Sequence, residues 1–127
     1  MYATNLTRQR VRQEVSADEP GFYRLGTMAD GQFCPSYFGR SDTDLQRRLQ
    51  EHAQRGWFTH FITRPADSIR EAFEQECLDW HLHGEQMLNH VHPARPDGAE
   101  YGCPYCDFEN RLEDIANDHK EIYVNAW

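Results

Sequence analysis

With 127 residues, the chain is long enough for one domain and one functional site, which excludes a multidomain architecture. Hydrophobic residues make up 39% of the chain, enough for a single core. No stretch approaches the ~20 consecutive apolar residues of a membrane span, so we expect no membrane partner. The net charge of −8 argues against a protein that coats nucleic acid nonspecifically.

The charge is distributed unevenly between the two halves. Residues 1–70 contain ten arginines and eight acidic residues, whereas residues 71–127 contain three basic and thirteen acidic residues. The first half could face a polyanion such as DNA, because the guanidinium fork suits bidentate phosphate contact. Compositional bias explains the arginines equally well. The acidic second half is a candidate surface for a protein partner.

The N-terminus lacks the apolar run of a secretory signal, so we expect a cytoplasmic protein. Thiols stay reduced in that compartment, so the four cysteines should be thiols or metal ligands. Residues 1–19 are polar and predict a flexible lead-in, with the fold beginning near Pro20.

Beyond Pro20 the pattern predicts alternating strands and helices. A strand over residues 21–25 and a strand over 32–39 flank a hairpin turn at Asp30-Gly31. Pro35 should place the second strand at a sheet edge or a bulge. The remaining elements, in chain order, are a helix over 42–55, a third strand over 57–62, a second helix from about 68 to His83, and a short helix over 108–118.

The phase of the first helix separates two neighbouring arginines. At about 100° per residue, Arg48 and His52 border the apolar stripe, whereas Arg47 points the opposite way. We therefore expect Arg48 and His52 to lie at the border of the buried face and Arg47 to be solvated.

Glu76 falls on the core-facing arc of the second helix. A carboxylate there is costly unless a cation, a donor network or a metal compensates it. Two explanations stay open, a functional metal ligand or a pairing with a structural arginine.

The order strand, hairpin, strand, helix, strand, helix resembles the GIY-YIG nuclease superfamily over residues 20–92. Gly21-Phe22-Tyr23 resembles the first signature motif and Tyr37-Phe38-Gly39 the second. Arg40-Ser41 with the following helix, and the segment 71–76, resemble the family's two helices. Phe replaces the Ile of each name motif, and an extra residue before the first helix leaves the choice between Arg47 and Arg48 open.

The resemblance implies an α+β (α/β) fold, a small three-stranded antiparallel sheet flanked by helices. It also implies a metal-dependent endonuclease that cuts a phosphodiester bond in DNA, single-stranded or structured DNA included. In such an enzyme Glu76 would bind Mg²⁺ or Mn²⁺, and Tyr23 would activate the water. The implied catalytic residues are Tyr23, Tyr37, Arg48, His52, Glu76 and Asn89, and we expect the first five to converge on one face of the sheet.

A second constellation lies in residues 93–127, which we expect to form a zinc-knuckle-like extension packed on the nuclease core. Cys103-x2-Cys106 is followed after twelve residues by His119, as in the first three ligands of a Cys₂His₂ finger. The fourth ligand is missing from that spacing. Its candidates are His92, which we favour, and His90, His83 or Cys77. The alternative is a pair of free thiols.

A different class of function fits the same residues. The chain could be a catalytically silent GIY-YIG-like or zinc-knuckle module that binds nucleic acid or a protein. The joint presence of Tyr23, Tyr37, Arg48, His52 and Glu76 favours the enzyme, because a binding module needs no carboxylate beside a phosphate site.

Overall fold

The computed structural model describes residues 3–106, which form an α+β fold with a four-stranded antiparallel sheet and three α-helices. The expected helix over 108–118 and His119 lie outside these residues. The strands are β1 (Thr4–Asn5), β2 (Gly21–Ala29), β3 (Gln32–Ser41) and β4 (His60–Pro65), and the helices are α1 (Arg8–Glu14), α2 (Leu45–Arg55) and α3 (Ile69–His83), followed by a 3₁₀ turn (Gly84–Gln86).

The sheet has the order β1-β4-β2-β3, so β2 is central and β3 is an edge strand. The prediction of three strands was wrong by one, because β1 adds to β4 on the far side. Successive residues of β2 point to opposite faces. Tyr23 packs with residues of α1 and α2, whereas Phe22 packs with residues of α3. The sheet is therefore covered by α1 and α2 on one face and by α3 on the other.

The hairpin and the proline behave as the sequence predicted. Asp30 and Gly31 have positive φ angles of 51° and 78°, as a tight two-residue turn requires. The pairing register shifts between Leu25 and Gly26, which face Tyr37 and Pro35 respectively, so Ser36 is an extra residue on β3. Pro35 thus lies both on an edge strand and at a β-bulge.

The N-terminal residues are part of the fold and not a lead-in to it. Leu6, Val11 and Val15 are buried in the same core cluster as Tyr23. Thr7 caps α1 by accepting a hydrogen bond from the Arg10 backbone N–H. The sequence did not predict this helix, because its few apolar residues are interspersed with arginines and the segment is polar on average.

The expected bounds of the other elements differ by a few residues. α2 begins after Asp44, which accepts a hydrogen bond from the Arg47 N–H, and ends at Gly56 with φ 71°. The third expected strand begins at His60 instead of Trp57, which is 74% exposed. No helix within residues 3–106 has the length and apolar character to cross a membrane.

We predict that Val11→Ala destabilises the protein by roughly 1–3 kcal/mol, because the side chain is fully buried and its loss leaves a cavity. Chemical denaturation followed by circular dichroism measures this. Arg12→Ala, at an exposed position of the same helix, is the control and should change little. Unchanged stability of Val11→Ala would mean that α1 does not dock on the sheet.

Candidate active site and metal centre

The phenol of Tyr23 is the most deeply buried group of the candidate site. Tyr23 lies on the central strand with 1% of its surface exposed, and its hydroxyl is 2.9 Å from His52 Nε2. Burial raises the pKa of Tyr23 above its usual value of 10. Burial and the nearby Arg55 and Arg48 charges lower the pKa of His52 to about 4. At neutral pH the phenol therefore keeps its proton, the imidazole is uncharged, and a hydrogen bond joins the two groups.

The glycines of the two signature-like motifs have a packing role. A Cβ on Gly39 would lie 2.6 Å from the Tyr23 hydroxyl oxygen, so only glycine leaves room for the phenol. A Cβ on Gly21 would lie 2.8 Å from the carbonyl oxygen of Arg64. Both glycines thus permit close approach around β2, which is a physical reason for the spacing seen in the sequence.

Tyr37 lies beside the same histidine. Its ring centroid is 5.6 Å from that of His52 and 6.0 Å from that of Phe58, on which it stacks. Burial raises the pKa of Tyr37, and so does the charge of Glu76, whereas Arg48 lowers it. The pKa values of Tyr23 and Tyr37 are therefore both affected by the Arg48 cation and the Glu76 carboxylate.

An open cleft of about 340 Å³ contains the charged residues of the site. Arg48 and Glu76 both line it, together with Asp42 and Arg40. The Arg48 side chain is 51% exposed and forms a weak ion pair with Glu51 at 3.7 Å. Arg47 is 81% exposed and does not line the cleft. Of the two neighbouring arginines on α2, Arg48 is therefore the one that faces it.

Glu76 is paired with a specific arginine. Its Oε1 accepts a hydrogen bond from Arg40 Nη1 at 2.7 Å, with both side chains largely buried. Burial raises the pKa of Glu76, and the Arg40 charge opposes that rise. Arg40 is thus the structural arginine that the second explanation of the buried Glu76 carboxylate requires. Its charge compensates the carboxylate without a metal ion.

Asn89 is placed by a different interaction. Its side-chain oxygen accepts from the Phe38 N–H at 3.1 Å, and its amide nitrogen donates to the Phe38 carbonyl at 2.7 Å. In this arrangement the amide holds the segment after α3 against β3. Both polar atoms of the Asn89 amide are therefore engaged by the backbone of β3.

The expected convergence on one face of the sheet was wrong in its geometry. Tyr23, Tyr37 and His52 lie on the face covered by α2, whereas Glu76 lies on α3 at the opposite face. Arg48 from α2 and Glu76 from α3 meet at the cleft beside the edge strand β3, where the chain leaves Ser41 for α2. An edge strand allows side chains from two layers to reach one cleft.

A separate cluster of four metal-ligand side chains lies at the end of α3. The ligand atoms of the cluster all lie within 4.8 Å of one another, and within residues 3–106 this is the one group of three or more such ligands. It consists of His81, His92, Cys103 and Cys106, and it can hold a metal ion such as zinc.

The spacing of this cluster suits a tetrahedral ion. Cys103 Sγ and Cys106 Sγ lie 3.4 and 3.5 Å from His81 Nε2, and Cys106 Sγ lies 3.4 Å from His92 Nε2. Bond lengths of zinc to sulfur and to imidazole nitrogen imply a nitrogen–sulfur edge of about 3.6 Å in a tetrahedron. These three nitrogen–sulfur distances match that edge.

The tautomer of His92 also suits a metal. Its Nδ1 is 2.8 Å from the Pro93 carbonyl oxygen, which can only accept, so Nδ1 carries the proton. The lone pair of the neutral ring is then on Nε2, which points to Cys106. A backbone carbonyl that orients a histidine in this way is typical of metal ligands.

Sequence reasoning found three members of the cluster and missed His81. The alternatives His83, His90 and Cys77 are not in it. The helical phase could have identified His81, because residues four apart lie on the same side of a helix and His81 is four residues after Cys77. Cys77 lies near Cys103, which together with burial raises the pKa of the Cys77 thiol. Four ligands are present without His119, which lies outside the described residues.

Comparison with known proteins assigns nothing to either site. No protein-family model, curated protein or solved structure matches the chain. The GIY-YIG interpretation therefore depends on the residues and the geometry described above.

The depressed pKa of His52 gives a pH prediction. Its pKa is about 4 in the fold and 6.5 ordinarily, so as pH falls the unfolded chain binds the proton first and the fold loses stability between these values. Relative to His52→Gln, the wild type should become less stable from pH 6.5 to 4, as measured by urea denaturation across that range. A constant difference between the two would show that His52 titrates normally.

Proposed function

We propose that this protein is a metal-dependent endonuclease of the GIY-YIG type that hydrolyses a phosphodiester bond in DNA. The observation that carries the proposal is electrostatic. Arg48 and Glu76 line one open cleft, and both shift the pKa values of Tyr23 and Tyr37, so the two tyrosines lie within electrostatic reach of the charged groups of the cleft. Perturbed groups gathered at a cleft are typical of catalytic sites.

Each residue has a role in this chemistry. Arg48 donates its guanidinium fork to the substrate phosphate and offsets the negative charge that develops there. Tyr23 would orient the attacking water, and in the resting state a hydrogen bond to the uncharged His52 holds the phenol in place. Tyr37, beside His52, would position the phosphate. Glu76 would hold Mg²⁺ or Mn²⁺, which when bound supplies a Lewis acid for the leaving oxygen.

Arg40 places a condition on any divalent cation. It already donates to Glu76 Oε1, so a cation would bind the other carboxylate oxygen or replace Arg40. Asp42, which also accepts from Arg40, lines the same cleft and would keep Arg40 paired after such a replacement.

A single-stranded segment suits the surface near the site. Trp57 is 74% exposed, and the Arg55 guanidinium lies 5.8 Å from its ring centroid. Trp57 adjoins Phe58, the residue that stacks on Tyr37. Exposed aromatic rings beside arginine bind unpaired bases by stacking, which does not require a large basic surface.

A structural zinc ion at His81, His92, Cys103 and Cys106 is the second part of the proposal. A closed set of two cysteines and two histidines leaves no position for a substrate. An ion there would join the end of α3 to the segment that follows, which adds stability to a domain with a small core.

A catalytically silent binding module is the competing function. The Glu76–Arg40 ion pair favours it, because a carboxylate compensated in this way has a purely structural explanation. The two functions differ in what happens when the charge of Glu76 is removed.

We predict that Glu76→Gln lowers Mg²⁺-dependent cleavage by orders of magnitude while the fold survives, because the amide keeps the shape and cannot bind the cation as a carboxylate does. The measurement uses labelled single- and double-stranded DNA and RNA with Mg²⁺, Mn²⁺ or EDTA, and melting temperatures on the same preparations.

Glu74→Gln is the matched control on the same helix, where it removes only an exposed ion pair with Arg70. It should change neither activity nor stability appreciably. Full activity of Glu76→Gln would contradict the nuclease mechanism. A large loss of stability without any cleavage by the wild type would favour the silent module.

We also predict about one zinc ion per purified chain, because the cluster offers one set of four ligands. Elemental analysis measures the stoichiometry, and chelation should lower the melting temperature. His81→Ala and Cys106→Ser should each weaken zinc binding strongly.

Two variants outside the cluster serve as controls. His83→Ala lies two residues further along the same helix, and Cys34→Ser removes an exposed thiol on β3. Both should retain zinc. Binding that survives in His81→Ala and disappears in His83→Ala would overturn the ligand assignment.

A further inference from the structure

The segment 87–94, here called the strap, runs along the edge of β3. The Leu88 N–H donates to the Ser36 carbonyl at 2.7 Å, and the Asn89 side chain pairs with the Phe38 backbone. The Ala94 carbonyl accepts from Arg40 Nη2 at 2.6 Å. The strap therefore meets β3 at alternate residues, which are Ser36, Phe38 and Arg40.

Arg40 lies where the strap meets the cleft. Its Nη1 donates to Glu76 at 2.7 Å and its Nε donates to Asp42 at 2.7 Å. Its guanidinium lies 5.0 Å from the ring centroid of Phe73, and the side chain is only 10% exposed. One planar fork thus connects the strap carbonyl of Ala94, the cleft and α3.

The four-ligand cluster holds both ends of the strap. His81 precedes it on α3, His92 lies within it, and the two cysteines follow it. His92 is two residues before Ala94, and its Nδ1–H donates to the intervening Pro93 carbonyl. A metal ion in the cluster would therefore restrain the backbone that presents the Ala94 carbonyl to Arg40.

We infer that Arg40 is a positioning residue that couples occupancy of the His81/His92/Cys103/Cys106 site to the placement of the Glu76 carboxylate. The inference rests on the proposed structural zinc and deepens the proposed function of the cleft. Without the ion, His92 is no longer linked to the other three ligands, and the strap loses a restraint. The Ala94 carbonyl then no longer fixes one nitrogen of the Arg40 guanidinium. Arg40 then stays paired with Asp42 and Glu76 but changes its orientation.

Nuclear magnetic resonance of the full chain tests this without any assay of activity. The measurements compare zinc-loaded protein, chelated protein and chelated protein with zinc restored. We expect chelation to shift the Arg40 Nε–H and the Glu76 carboxyl carbon signals and to speed hydrogen exchange at the Phe38 amide, and we expect zinc to reverse all three changes.

The Arg24 Nε–H is the internal control. Arg24 forms a buried ion pair of the same 2.7 Å length with Asp79, also on α3, but it belongs to the central strand β2 and not to the edge strand that the strap follows. Its signal should stay in place when zinc is removed. A shift of Arg24 as large as that of Arg40 would indicate general loosening of α3 and would overturn the coupling.

Two variants separate positioning from a merely structural role. Arg40→Lys keeps the charge and loses the fork, so the Glu76 carboxyl signal should no longer respond to zinc although zinc still binds. Asn89→Ala detaches the strap from Phe38 and should shift the Arg40 signal even with zinc bound. The same Glu76 response to zinc in Arg40→Lys as in the wild type would overturn the inference.

The outcome is distinguishable from that of the proposed function. A zinc-dependent Arg40 signal in a protein that cleaves no nucleic acid would support the coupling and refute the nuclease. Cleavage that depends on Glu76, with Arg40 and Phe38 signals unaffected by chelation, would support the nuclease and refute the coupling.

Discussion

The buried ion pair between Arg24 and Asp79 fixes the helix on which both sites depend. Arg24 Nη2 donates to Asp79 Oδ1 at 2.7 Å, and Asp79 is 1% exposed. Burial outweighs the Arg24 charge and raises the pKa of Asp79 to about 6. Breaking one partner of such a pair leaves an uncompensated charge in the core, typically at a cost of about 3–5 kcal/mol. The pair therefore sets the position of α3 on the sheet.

Glu76 and His81 belong to α3 on either side of that anchor. Glu76 precedes Asp79 by three residues and reaches the cleft through Arg40, whereas His81 follows it by two and joins the cysteines. The two sites share one rigid element in a small domain. A change in the position of α3 would therefore alter both sites at once.

Local patterns predicted most of this fold. The capping residues of α2, the turn at Asp30-Gly31 and the phase that separates Arg48 from Arg47 all depend on near neighbours along the chain. Long-range partners could not be read in the same way. The pairing of Arg40 with Glu76, and of His81 with cysteines 22 and 25 residues away, depends on how the strap runs along β3. The N-terminal strand was missed because its signal is two residues long.

The strap also changes what the sheet offers to other molecules. An unprotected edge strand presents N–H and C=O groups that can pair with a strand of another chain. Here the Ser36 carbonyl and both backbone groups of Phe38 are already taken by Leu88 and Asn89. The side chain of Asn89 thus takes the place of a neighbouring strand and blocks this part of the β3 edge against intermolecular addition. The attachment of the strap to β3 and the resistance of this edge to aggregation therefore depend on the same few hydrogen bonds.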